Sequence, residues 1–421
     1  MREEILHFIW EHQYYKIGKV VTQEQLPMQV LNTGKPHINA GPDFEQAKIN
    51  IGAVEWNGDV EIHIKSSDWN AHHHQFDKAY NKVILHVVWQ HDKAIFREDG
   101  TPIPTLELNT LVSKPLLKKV NTLLDSVSPI ACSLQIGSVP EIIIADTIQR
   151  AFIQRLERKA EIITNELNNA KGDWDEVAYR IFMKQMGMKV NAEAFYALAL
   201  AIPYSIIRKY AHSLFKIEAL LFGASGMLAA SFKEEYMIDL ETEYEFLAHK
   251  HGLNKTINPV IWKFLRLRPA NFPTLRLAQT ACMLANTNSI FEFFTEKTAP
   301  LKSINWQVSD YWKTHYKFGE KTIKKVPNLG IESIDLLLIN VVAPLLTAYS
   351  KSIDNEEFIN KAVKLLAQIK PEKNRIIRAW EKLLIGSKNA GESQGLIELY
   401  NEICYHKKCL NCGIGFNLLK E

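Results

Sequence analysis

The hydrophobic period of this chain changes near residue 110, and that change limits the folds open to it. Upstream, apolar residues come in short runs rich in β-branched and aromatic side chains: Met28–Leu31, Ala47–Ile51, Val54–Lys65, Val83–Trp89 and Ile103–Leu108. Turn residues separate them, at Thr33-Gly34-Lys35-Pro36, Asn39-Ala40-Gly41-Pro42-Asp43, Asn57-Gly58 and Asp99-Gly100-Thr101-Pro102. Runs of this length between such punctuation read as strands. A helix over Glu3–Lys16, with Gly18 as its stop, precedes them, and a short helix over Trp69–Asn81 interrupts them. From Val112 onward apolar residues recur at three- and four-residue steps. The segments Glu141–Asn168, Trp174–Met186, Ala192–Ala201, Ile217–Leu228, Thr274–Ala285, Ile334–Ala348, Glu356–Ile369 and Ser393–Tyr405 read as helices, with breakers such as Pro259, Pro269, Pro300, Pro327 and Pro371 between them. The fold class expected is α+β. A small mixed-sheet domain spans 1–111 and a large all-α domain spans 112–421.

Composition removes several classes. With 47% hydrophobic and 23% charged residues the chain is neither disordered nor fibrous. Fifty Lys+Arg against 47 Asp+Glu leave a formal +3, which neither demands nor excludes DNA or RNA as a partner. The most apolar stretch, Leu336–Tyr349, is shorter than a span of about 18 residues and contains Asn340 and Pro344, so no membrane segment is expected. Met1-Arg2-Glu3-Glu4 does not begin a secretory signal, and five cysteines, an odd number in a large chain, point to a reducing cytoplasmic setting with free or metal-bound thiols.

One constellation carries chemistry. In Asp59-Val60-Glu61-Ile62-His63-Ile64-Lys65, strand alternation places Val60, Ile62 and Ile64 on one face and Asp59, Glu61, His63 and Lys65 on the other. Val54 and Trp56 extend the apolar face, which should meet the core while the polar face meets water. Gly41-Pro42-Asp43-Phe44 delivers another acid to the start of the preceding strand. Register decides whether they meet. A turn at Asn57-Gly58 would leave Asp43 about eleven residues, or some 35 Å, from Glu61, whereas a turn at Gly52-Ala53 brings Asp43 level with Glu61 and His63.

An acid after proline followed by acid-X-base on a strand resembles the active-site layout of the PD-(D/E)XK nuclease superfamily. That resemblance implies a restriction-endonuclease-like sheet, with Asp43 and Glu61 holding Mg²⁺. His63, standing where the family carries Lys, would orient or deprotonate a water, with Lys65 or Lys48 as electrostatic helper. Gln75–Tyr80 is similar to a Gln-to-Tyr motif of some members, longer by one residue. The same stretch allows other readings. Glu61, His63, His72, His74 and Asp77 could converge on Zn²⁺ or Fe²⁺ as a metallohydrolase or oxygenase centre. The face could also be a set of paired polar groups in a catalytically inactive scaffold, with the helical domain binding a protein. His86, inside Val83–Trp89, reads as a hydrogen-bonded core residue.

A second cluster lies near the C-terminus, where Cys404, His406, Cys409 and Cys412 fall within nine positions. Four soft ligands at this spacing suit Zn²⁺. Alternatively Cys132 supplies a fourth thiolate for an iron–sulfur cluster, as in some members of the nuclease superfamily. Arg150, Arg155, Arg158 and Lys159, and further on Arg266, Arg268 and Arg276, read as solvated helix faces paired with acids, or as contacts to a phosphate backbone. Phe222–Gly226 lacks the Gly-Lys-Ser/Thr of a phosphate loop and reads as a close helix contact or break.

Over its whole length the chain resembles a bacterial family of unknown function. Gly41–Phe44, Val60–His63 with Ser66-Ser67-Asp68-Trp69, Val83–Val88, Leu267–Pro273 and Cys409–Cys412 carry that resemblance. It implies a cytoplasmic bacterial protein and no particular activity.

Overall fold

In the computed structural model, residues 1–37, 40–229, 234–296 and 306–420 are described; Asn39 of the proline turn and the breaker Pro300 lie outside them. The protein is α+β, with a mixed sheet near the N-terminus and helices after it. The chain divides into two compact units, Met1–Thr147 with Leu399–Glu421, and Ile148–Glu398. The change of period near residue 111 is therefore a change of secondary structure, and the first unit runs on past it.

In the first unit, α1 (Glu3–Glu11) buries Ile5, Leu6, Phe8, Ile9 and Trp10, residues at helical spacing, while Glu3 and Glu4 favour its positive N-terminus. It stops short of Lys16 because Gln13 turns left-handed at φ 51°. The strands β1 (Met28–Asn32), β2 (Lys35–Pro36), β3 (Phe44–Ile51), β4 (Val54–Lys65), β5 (Val83–Gln90) and β6 (Thr105–Glu107) form one sheet, ordered β1-β3-β4-β5-β6 with β2 on β3. The β1, β3 and β4 pairings are antiparallel; β4, β5 and β6 run parallel.

The β3–β4 hairpin turns at Gly52-Ala53, and Gly52 takes the left-handed φ of 61° that the turn needs. Asn57-Gly58, a strong turn signal by composition, lies mid-strand instead. A Cβ on Gly58 would intrude on Ile84 Cγ2 and stand 2.5 Å from the Lys82 carbonyl, so glycine serves close approach of β5.

The second unit is helical except for a short antiparallel hairpin, β7 (His315–Lys317) with β8 (Glu320–Lys321), so the expectation of an all-α region fails there. Trp174–Met186, Ala192–Ala201, Leu214–Ala224, Glu235–His251 and Pro273–Ala285 enclose a core containing Tyr179, Phe182, Phe195 and Phe222. Gly223 lies against the Tyr244 ring, where no Cβ fits, a close helix contact rather than a loop. Ile331–Ser352 is long and apolar enough to cross a membrane, at mean hydropathy 1.7, yet 67% of its apolar 18-residue window is buried inside the protein. Its π-helical segment Leu338–Val342 accommodates Pro344, which cannot donate to a preceding turn.

Three basic residues of the long helix Glu141–Asn169 serve this unit internally. Arg155 and Arg158 both donate to Glu398, and Lys159 donates to Asn340 and Gln394. Arg276 is buried and donates to Asn271 and Ser333. Glu218, also buried, accepts the Tyr236 hydroxyl at 3.0 Å, and burial raises its carboxyl to about 7.

Candidate functional site

The site begins with a bulge. Between Phe44 and Ala47 the β3–β4 register slips, and Gln46 takes φ 59°. The slip leaves the Gln46 N–H without a ladder partner, and Asp59 Oδ1 accepts it at 3.1 Å. Asp43 then arrives beside Glu61 and Ile62. Its Oδ2 accepts the Ile62 N–H at 2.9 Å, and its own N–H donates to Glu61 Oε2 at 3.1 Å. The acid after proline and the acid on the strand therefore lie together.

The polar face of β4 is not wet where it matters. Glu61 is 5% exposed and His63 2%, while Val54 (54%) and Trp56 (37%) are open. α1 and the segment after β4 pack on the second half of this long strand, so both of its faces are covered there. The companions of Glu61 and His63 are imidazoles and not aliphatic side chains.

That covering segment is pinned by hydrogen bonds. Ser66 Oγ accepts the N–H groups of Asp92 and Lys93 and is buried. Asp92 accepts from the Ser67 N–H and hydroxyl, and Asp68 accepts the Lys65 N–H. This is the physical content of Ser66-Ser67-Asp68. It fixes α2 (Asp68–Ala71), and His73 at φ 64° turns the chain so that His72 and His74 both come back over the sheet.

His63 is the centre. Its Nδ1 faces His86 Nε2 at 2.8 Å, and its Nε2 faces His72 Nδ1 at 3.1 Å and Glu61 Oε1 at 3.5 Å. His74 Nε2 lies 3.3 Å from the same Glu61 oxygen. His63, His72 and His74 each offer a nitrogen within 4.8 Å of the others. Tyr80 stacks on His74 at 3.8 Å between ring centroids, and Trp69 meets His74 and His86 edge-on, which fixes the rings.

Electrostatics follow from burial. Burial, with His74 and His72 alongside, pushes His63 down to about 4, and burial carries His86 well below its ordinary value. Burial raises the Glu61 carboxyl despite the hydrogen bond from His74. His7, on α1, has Nε2 at 3.4 Å from Asp43 Oδ2. Burial opposes its charge, but the Asp43 carboxylate outweighs it and raises the pKa. The rings of His63 and His86 are thus neutral near pH 7, the form that binds metal.

The remaining expected residues lie elsewhere. Lys65 is exposed at the end of β4. Lys48 pairs with Glu55 at 2.9 Å, well along the hairpin. Asp77 caps a short turn by accepting the Ala79 N–H. His7, Ser66, Asp92 and the contact of His86 with His63 were not legible as parts of the site. His7 precedes it by more than fifty residues, and His86 is hidden in an apolar strand.

The chain belongs to the family described as Protein of unknown function (DUF2851), whose model matches residues 3–375. That span takes in the whole sheet and histidine cluster. No curated protein and no solved structure matches the chain.

Proposed function

We propose that this protein is a divalent-metal-dependent hydrolase acting on phosphodiesters, with Glu61, His63, His72 and His74 as the metal-holding set. One observation supports the reading above the others. Three of the six approaches among these groups are 3.1, 3.3 and 3.5 Å, and the three imidazoles offer nitrogens within 4.8 Å of one another, against the about 3.3 Å separation set by an ion bound tetrahedrally at about 2.0–2.1 Å. The outer partners suit it too: His86 orients the far nitrogen of His63, and the Asp43 N–H orients Glu61. Imidazole-rich donors favour Zn²⁺, Mn²⁺ or Fe²⁺ over the Mg²⁺ that the nuclease resemblance implies.

A divalent ion held there would polarise a phosphoryl oxygen and acidify a water. His72 is exposed, which leaves one side of the set open to substrate. His7, whose pKa the neighbouring Asp43 carboxylate raises, is placed to give a proton to a leaving oxygen. The phosphodiester assignment rests on the likeness of Asp43…Glu61-X-His63 to the nuclease layout.

The test is metal analysis of purified protein, then hydrolysis of bis(p-nitrophenyl) phosphate and of single- and double-stranded DNA and RNA with Zn²⁺, Mn²⁺ or Mg²⁺. Turnover that needs a transition metal and is lost in Glu61→Gln and His72→Ala is expected. Absence of cleavage with every metal, in protein shown to bind one, would overturn the hydrolase and leave a metal-binding scaffold.

A further inference from the structure

The first unit contains a second group of metal-binding side chains, far along the chain from the first. Cys132 lies in the turns that follow α3 (Lys114–Leu124). Cys404 ends a π-helical stretch, Cys409 opens a single 3₁₀ turn and Cys412 precedes the helix Gly413–Leu419. Cys132, Cys404 and Cys409 are each 7–8% exposed, and Cys412 is half-buried. None is in a disulfide.

The two segments are fastened together. Lys407 Nζ donates to the Ser128 carbonyl, four residues before Cys132. The helix Gly413–Leu419 packs on α3 and on the turn Ile136–Ser138. Every one of the six pairings among the four thiols is close enough for electrostatic interaction. Cys132 and the three C-terminal cysteines, some 270 residues apart in sequence, thus lie near one another within the first unit.

The backbone around them is shaped for the sulfurs. The N–H groups of Ile414 and Gly415 point at the Cys412 sulfur. Gly415 passes so close to the Cys409 carbonyl that no Cβ fits. His406 takes no part: it is exposed and meets Tyr405 edge-on.

We infer that Cys132, Cys404, Cys409 and Cys412 ligate an iron–sulfur cluster of the [4Fe–4S] type, which ties Leu399–Glu421 to the turns after α3. Size separates this from zinc. A Cys₄ zinc centre with Zn–S of about 2.3 Å needs sulfurs about 3.8 Å apart. Among the described residues, only the imidazole trio of the first site has three ligating atoms mutually within 4.8 Å, so no three of these sulfurs close that far. A [4Fe–4S] cubane, whose four irons stand at alternate corners and each take one thiolate, holds its thiolates farther apart than a single zinc ion does. Metal ligation is the use for which burying four thiols together makes sense.

The experiment is anaerobic purification of the full chain, with reconstitution by iron and sulfide, followed by iron, sulfide and zinc analysis, visible absorption and electron paramagnetic resonance after dithionite. Roughly four irons and four sulfides per chain, with a bleachable charge-transfer band, are expected. Cys132→Ser and Cys412→Ser should lose most of the iron. His406→Ala and Cys282→Ser, the latter in the other unit, should keep it; circular dichroism checks that each variant is folded. One zinc per chain with no iron overturns the inference, as does full iron retention in Cys132→Ser or failure of reconstitution in folded wild-type protein. Metal at the histidine site is scored separately through His72→Ala, so loss of one site leaves the other standing.

Discussion

Replacing Glu218 by glutamine tests whether burial sets the electrostatics of this protein as described. The carboxyl is 1% exposed, and burial moves it from 4.5 to about 7 against the opposing hydrogen bonds of Ser309 and Tyr236. At 1.36 kcal/mol per pH decade that displacement is about 3 kcal/mol. The sign follows from proton counting. Between pH 4.5 and about 7 the native chain keeps a proton that the unfolded chain has shed, so stability falls as pH rises through that window and is level above it. Glutamine keeps an oxygen for the Tyr236 hydroxyl and never ionises. The Glu218→Gln variant should therefore be more stable than wild type by about 2–3 kcal/mol at pH 8.5 and by no more than about 1 kcal/mol at pH 5. Urea midpoints of both proteins at both pH values measure this. Equal gains at the two pH values, or no gain at pH 8.5, would refute the reasoning.

Three further outcomes are expected. Gly58→Ala forces β5 away from β4 at Ile84 and Lys82 and should cost about 1–3 kcal/mol in urea unfolding, with weaker zinc binding because β5 carries His86. Zn²⁺ at a hundredfold excess over its Kd should raise stability by about 2.7 kcal/mol in a thermal-shift experiment, reversibly with EDTA. His72→Ala, at an exposed position, should abolish that shift and leave the metal-free melting temperature unchanged. Gly415→Ala, whose Cβ meets the Cys409 carbonyl, should destabilise the chain and lower its iron content after reconstitution.

Strand alternation and turn chemistry left two candidate turns for the β3–β4 hairpin, of which only Gly52-Ala53, the one the chain takes, lets Asp43 reach Glu61. They were not enough to tell what Gly58 is for. The same residue that would close a turn also permits two backbones to come close, and the difference lies in β5, which is distant in sequence. Alternation likewise separates Glu61 and His63 from Val60 and Ile62, but it cannot say that a later segment covers the polar face. That segment stays down through Ser66 and Asp92, a contact across twenty-six positions. Glu235–His251 has no clear helical signature in the sequence because only Met237, Leu240 and Leu247 on it are buried, a stripe too sparse to stand out. Arg155, Arg158 and Arg276 look alike in sequence to any phosphate-binding cluster; the acids and amides that absorb them come from other helices.

The discontinuity of the first unit sets an order on synthesis. Residues Leu399–Glu421 belong with Met1–Thr147, yet they leave the ribosome only after the whole of Ile148–Glu398. The helical unit can close on itself while the sheet-bearing unit still waits for its missing piece. Until that piece arrives, the surfaces of α3 and the turns around Cys132 are open to water, to oxidants and to chaperones. Maturation of this protein therefore finishes near where it began.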